Sequence, residues 1–498
     1  MKNILFISFA LATSLLASAQ QKNLLLESSF WKTAPDVHAI KAEIAKGNNP
    51  SASTSNAFDV TVMAINSDAS TATIKFLLEQ PGNEVTKITH DGRIYLHWAA
   101  NKGNVAIIEY LIAKGSDINL EDSKGDTPIA FAANNGQSNT AVYEAFFKAG
   151  INPKKKYKDG ANLLLMTIPY DKDLTLSNYF VSKGMSLKDN DNDGNTAFNY
   201  AARMGNMALL KTLLKKGVKY NDNALLIAAQ GSKRDANTIE TYKYLVENLK
   251  LKPTVTSKFG ETVLRFLINK TNQTEIINYF FEKGVDANKA DNQGNTPLMI
   301  AAAKETAVLE LLLPITKNIN LQNNKGESAL TIAVKSGTPE AVELLLSKDT
   351  AVNVQDKDGN NLAFYLIQSY KPQTNRDSEA SKQDPFTTKT KLLQDKGLNL
   401  ATPQKDGNTL YHLAIAKNDL TLLKKLSNLN INVNTKNNDG ITALHKAAMI
   451  SKDDTILKYL LAIGAEKEIT TEFDESAYAL AKENESLTKN NISVEFLK

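Results

Sequence analysis

Side chains able to do chemistry are few and scattered in this 498-residue chain. The five histidines, His38, His90, His97, His412 and His445, include no pair at metal-ligand spacing. With 0 Cys there is no thiolate ligand, no thiol nucleophile and no disulfide framework. No G-x-S-x-G turn and no phosphate-cradling glycine loop occurs. Acidic residues pair only in polar turn segments, where carboxylates are solvated. Arg234-Asp235 and Arg376-Asp377 bring opposite charges together without a histidine. The reading is therefore of a chain that is not an enzyme, with no catalytic residue, no metal and no cofactor. The one basic run, Lys154-Lys155-Lys156-Tyr157-Lys158, is expected to be a solvated turn tip.

What must position any functional side chain is a repeated element, clearest in DGRIYLHWAANKGNVAIIEYLIAKGSDINLED, Asp91 to Asp122. Asp91-Gly92 is a tight-turn pair. A short helix follows, with Leu96, Ala99 and Ala100 at helical spacing, and Gly103 stops it. A second helix presents Ile107, Ile108, Leu111 and Ile112 on one face, and Gly115 ends it. Such a unit has one apolar face and needs copies on either side to bury it. Turn glycines recur at Gly92, Gly125, Gly160, Gly194, Gly260, Gly294, Gly326, Gly359, Gly407 and Gly440, mostly 33–35 residues apart.

A period near 33, with DNQGNTPLMIAA (291–302), SKGDTPIAFAANNG (123–136), NDGNTAFNYAARMGN (192–206) and NNDGITALHKAA (437–448), resembles the ankyrin-repeat family. The resemblance covers nearly the whole chain after its first residues. It implies an all-α solenoid of about 12–13 helix-turn-helix repeats with short β-turn fingers and a capping unit at each end. It also implies that His97 and His445 tie adjacent turns together. Trp98, Phe131, Tyr200, Phe266 and Tyr365 share one register and fall where the family places a packing residue. Thr127, Thr196, Thr296, Thr409 and Thr442 open the first helix of their units, where a hydroxyl can accept from unpaired N–H groups.

Regularity fails twice. Ala228-Ala229 follows Ala201-Ala202 by only 27 residues, so the turn before Asn223 is shortened. We expect a break there, dividing the stack into 20–217 and 218–498. The interval from Gly359 to Gly407 is about fifteen residues too long, and the excess is Lys371 to Phe386, expected to be an exposed loop. A capping unit is expected over 20–57, and a polar-surfaced C-terminal cap from Asp474 to Ala481.

The first residues read as a secretory signal peptide: Lys2, an apolar stretch from Ile4 to Ala17, and a small-x-small site cut after Ala19. This predicts a periplasmic or secreted protein with no membrane insertion after cleavage. A net charge of +4, mixed along the chain, lacks the basic stripe of a nucleic-acid binder.

Function then falls to surface positions that the repeat leaves free. On the turn tips and the ends of the first helices these are Arg93, Asn101, Lys102, Lys124, Asp126, Asn134, Asn135, Asn195, Arg203, Lys325, Lys335, Asn360, Asn408 and Lys417, with Glu327 and Lys357 beside them. They are mostly amide and basic, and suit a folded protein or an extended acidic segment. The expected function is a monomeric, non-catalytic exported scaffold that binds a protein partner through its concave side. The alternative is an effector or toxin-neutralising protein acting on a foreign target.

Overall fold

The computed structural model of the protein describes residues 22–232, 236–304, 306–372 and 384–498. The expected signal segment, Arg234-Asp235 and Arg376-Asp377 lie outside the described residues. The chain divides into two compact units, Met1–Asn221 and Asp222–Lys498. Among the described residues there are 28 α-helices and no strand, only isolated β-bridges such as Asn190 with Thr196. The longest helix, Pro385–Asp395, has 11 residues. Helices this short are marginal alone and gain their stability by stacking.

Each regular repeat opens on a five-residue turn finger whose first N–H donates to its fifth carbonyl, as from Asp122 to Asp126 (3.0 Å), Asp291 to Asn295 (3.0 Å) and Asp356 to Asn360 (3.0 Å). Twelve such fingers are present among the described residues. An Asp or Asn in first place folds the turn with its own side chain. Asp122 Oδ1 accepts from the N–H groups of Lys124 (2.8 Å) and Asp126 (3.0 Å), and Asn323 Oδ1 from those of Lys325 (2.9 Å) and Glu327 (3.0 Å). The fourth position takes a positive φ and is usually glycine, as at Gly326 (+82°), though Ala57 and Asp474 adopt it in the first and last fingers. Successive fingers are joined by backbone bonds, Ser123 N–H to Asp91 O (2.8 Å) in the first unit and Lys357 N–H to Lys325 O (3.0 Å) in the second.

After each finger come the two helices, for example Tyr95–Lys102 and Val105–Ala113. The alanine pairs Ala99-Ala100, Ala132-Ala133, Ala201-Ala202 and Ala447-Ala448 are fully or almost fully buried, letting neighbouring first helices approach. Leu213, Leu312, Leu345 and Leu460 fill the layer between second helices at 0 % exposure, each worth roughly 1.5–3 kcal/mol of burial. Thr196, Thr296 and Thr442 cap their helices as expected. Thr127 does not: among the described residues its hydroxyl has no partner, although Pro128 at the first helical position leaves one N–H fewer in need of an acceptor.

At 218–222 the chain runs directly into the helix Asn223–Gln230. The last residue of the first unit stands in for the missing finger: Asn221 Nδ2 donates to Gly194 O (2.9 Å), and Asn199 Nδ2 to Asn221 Oδ1 (2.6 Å).

Of the expected 371–386 loop, residues 373–383 lie outside the described residues, and its end is not loop. Asp384 caps a helix beginning at Pro385, and Phe386 is buried against Tyr370, ring centroids 5.6 Å apart. Buried Lys389 anchors that helix by donating to Val334 O (2.9 Å) and Ala333 O (3.3 Å) at the end of Ala329–Ser336. Burial pushes its ammonium down to about 8. The C-terminal repeat is not polar throughout: Phe473, at its finger tip, is 83 % exposed.

Candidate functional site

In the first unit the charges expected on the face made by fingers and first-helix ends are closed on one another. Arg93 is not a surface residue. It is 4 % exposed, held by Asp122 through Nε and Nη2 (2.8 Å each) and by Asp91 (3.3 Å). Its guanidinium lies over the Phe131 ring, 4.2 Å from the centroid. A delocalised, weakly hydrated cation tolerates this where lysine would not. Burial works against ionised Asp122, but hydrogen bonds from the Asp126 and Lys124 N–H groups and from Arg93 outweigh it, and its carboxyl sits below the usual range. Asp126 is pushed up by its own burial and then by the Asp122 charge.

Neighbouring candidates are similarly engaged. Lys124 pairs with Asp91 (2.9 Å), Lys102 with Asp68 (2.7 Å), and Asn134 donates to Asp126 (2.9 Å). Asn135 donates to Phe131 O (2.7 Å) and the Asn101 carbonyl accepts from Gln137 (3.0 Å). Asn195 is buried, with Nδ2 on Asp191 (2.8 Å), and Arg203 is half-buried near Tyr200. The basic run binds its own repeats: Lys155 donates to Asn119 (2.8 Å), Lys156 to Asn190 O (3.1 Å) and Lys158 to Lys124 O (2.7 Å).

The second unit differs. Lys325, Lys335 and Asn360 come together with Asn324, Glu327, Asp356, Lys357, Asp358, Phe364, Tyr365 and Gln368 around an open groove of about 670 Å³. It lies across two consecutive fingers and the first helices Ala329–Ser336 and Leu362–Ser369. Tyr365 forms its floor, with Oη donating to Asp356 (2.6 Å) and Lys335 Nζ 5.4 Å from its ring centroid. Lys335 also pairs with Glu327 (2.9 Å). Lys325 and Lys357 are exposed and, among the described residues, carry no direct ion pair or side-chain hydrogen bond. Further along, Lys417 reaches Gln368 (3.4 Å), and Asn408 is tied to Asp406 (2.6 Å) and Asn437 (3.0 Å).

Three of the five histidines are structural. Nδ1 of His97, His412 and His445 accepts from the backbone N–H three residues earlier (3.3, 3.2 and 3.1 Å). The proton therefore sits on Nε2, which donates to a carbonyl of the next repeat: Asp126 (3.1 Å), Ile441 (3.0 Å) and Ile469 (2.9 Å). His412, isolated by the sequence reading, shares the role of the other two. Burial holds all three below the usual histidine range, His97 at about 4.

The family model for ankyrin repeats (three copies) matches residues 61–157, 129–224, 225–323, 307–374 and 379–471. The chain belongs to the ankyrin-repeat family. Ankyrin repeat protein B18 of Variola virus is 26 % identical over 348 residues, 67 % of this chain and 50 % of that protein. NF-kappa-B inhibitor delta of Mus musculus is 28 % identical over 196 residues, 35 % of this chain and 59 % of that protein. The Inhibitor of Apoptosis of Vaccinia virus is 32 % identical over 116 residues, 22 % of this chain and 24 % of that protein. In each case the chain spans less than two thirds of its relative.

Within the ankyrin repeats, sequence reasoning missed the contribution of Tyr365, Gln368 and Asp358 to the groove. The aromatic register was read as packing alone. Its polar-ended members also reach nine residues back to the first residue of their finger: Trp98 to Thr89 (2.9 Å), Tyr200 to Asp191 (2.9 Å) and Tyr365 to Asp356. An indole or phenol nine residues after a turn-opening acceptor was a usable signal; Phe131 and Phe266 lack the polar end. Among the described residues no helix is long and apolar enough to cross a membrane.

Proposed function

We propose that the protein is an exported ankyrin-repeat scaffold that holds a protein partner on the finger side of its second unit and performs no chemistry on it. The observation that carries this reading is the groove between Lys325 and Gln368, where side chains from two repeats converge on an open trough and two lysines are left without partners. A deep apolar pocket would favour a small ligand; this trough is shallow and mixed in polarity, which favours a protein surface. Relatives named as inhibitors support a second reading, in which the partner is a foreign target masked by binding.

A photo-crosslinking residue at Gln368 or Asn360 tests the location. One protein captured there, and not from exposed Glu343 on a second helix, supports the scaffold. Equal capture from both positions overturns the choice of face. Export is tested separately by sequencing the N-terminus of the protein recovered from the medium or envelope. A chain beginning at Gln20 agrees with the reading, and one beginning at Met1 rejects it.

A further inference from the structure

The groove is lined by three lysines and three acids, and two of the lysines are exposed without a direct ion pair among the described residues; this inference rests on the scaffold reading and adds the chemistry of the partner. We propose that the trough of residues 324–368 receives an extended acidic segment of a partner protein, its carboxylates taken by Lys325 and Lys357 and its chain laid along Tyr365 and Gln368.

The acids lining the trough are largely engaged inside it. Asp356 accepts from Tyr365 Oη (2.6 Å), Asn360 Nδ2 (2.9 Å) and the N–H groups of Asp358 (2.9 Å) and Asn360 (2.8 Å). Glu327 accepts from Lys335 (2.9 Å) and Asn323 (3.1 Å). Burial opposes ionisation of both carboxyls, yet these bonds, helped at Glu327 by the charges of Lys335 and Lys325, hold both below the usual range. That leaves Asp358, exposed at a finger tip, as the one acid without such a tie.

The cations are not matched in the same way. Lys325 and Lys357, on consecutive fingers, are both exposed and unpaired. Lys405, exposed on the next finger, has no ion pair either. The corresponding cations of the first unit, Lys124 and Lys158, are bound to Asp91 and to the Lys124 carbonyl. The finger positions that are self-satisfied at Lys124 and Lys158 are thus exposed at Lys325 and Lys357.

An extended segment suits the shape because its alternate side chains point to one side, about 7 Å apart. Carboxylates on that side meet the lysines while the remaining side chains cross Tyr365 and Gln368. Each exposed pair contributes little alone, so charge acts mainly on selectivity and on the association rate.

The test uses the full chain and two fluorescein-labelled dodecapeptides, one alternating Glu with Thr and the other Gln with Thr, titrated at low and at physiological ionic strength. The Glu peptide should bind at least about tenfold more tightly than the Gln peptide, with the difference shrinking as salt rises. Lys325→Glu with Lys357→Glu should remove that preference. Lys325→Gln with Lys357→Gln should reduce it without adding repulsion, and Lys102→Glu with Lys124→Glu in the first unit should leave it intact. Circular dichroism confirms that each variant is folded. Equal binding of the two peptides, no binding of either, or equal loss in both pairs of reversals overturns the proposal. A protein crosslinked at Gln368 whose capture survives the Lys325/Lys357 reversal leaves the scaffold standing and removes the acidic segment.

Discussion

The two units carry the same repeat but use its finger side differently. In the first, Arg93 is drawn under Phe131 and locked to Asp122, and Lys102, Lys124 and Lys158 are all engaged by neighbouring turns. In the second, Lys325 and Lys357 stand at comparable finger positions, exposed and, among the described residues, without a direct ion pair. A charged residue on a repeat surface is thus no sign of a binding site until its neighbours are known. In the first unit these charges hold fingers together; at Lys325 and Lys357 in the second they remain exposed.

The sharpest way to break this comparison is Arg93→Ala. It takes the cation from Asp122, leaving its buried carboxylate only the backbone N–H donors of Lys124 and Asp126, and should destabilise the protein by about 3 kcal/mol in urea unfolding. A loss below about 1 kcal/mol would make Arg93 an ordinary surface residue.

His97 gives the next effect. The unfolded chain takes up a proton below about pH 6.5, whereas the folded chain resists until about 4. Its contribution is intact above 6.5 and is lost as pH falls between those values, on the order of 2–3 kcal/mol. Thermal melts from pH 7 to 4 should therefore fall more steeply for the wild type than for His97→Gln. Parallel slopes would mean the imidazole stays solvated.

Gly326→Ala probes the groove itself. An added Cβ would stand 2.7 Å from the Lys357 backbone nitrogen at a φ of +82°, so roughly 1–3 kcal/mol should be lost. Gly115→Ala has an equally positive φ but open space around it and should cost about 1 kcal/mol. Equal costs would mean that the fingers at Lys325 and Lys357 are not closely stacked.

The smallest effect is expected from Lys325→Ala with Lys357→Ala. Stability should move by no more than about 0.5 kcal/mol while binding of the acidic peptide weakens. A large stability loss would show that these lysines, like Arg93, belong to the scaffold.

The fold was legible because its signals are local. Glycine at a positive-φ turn, an Asp or Asn that closes that turn, proline at a helix start and an alanine pair each act within a few residues, and their period is visible without coordinates. Even the shortened turn before Asn223 could be read by counting. Signals that depend on the next repeat were harder to read. His412 follows Thr409 by three residues as His445 follows Thr442, a register that sequence reasoning passed over; its Nε2 reaches the Ile441 carbonyl of the next repeat just as His97 reaches that of Asp126. Phe386 sits at the end of a polar segment, and only Tyr370, packed beside it, shows that it is buried.

By itself the sequence determined the repeat, its helices, its turns and the positions that each repeat offers to solvent, because these follow from backbone preferences and the 33-residue period. Only the tertiary structure decided which of those positions are open. Whether Arg93 or Lys325 is available depends on which side chains the adjacent fingers place within 3 Å, and stacking sets that distance.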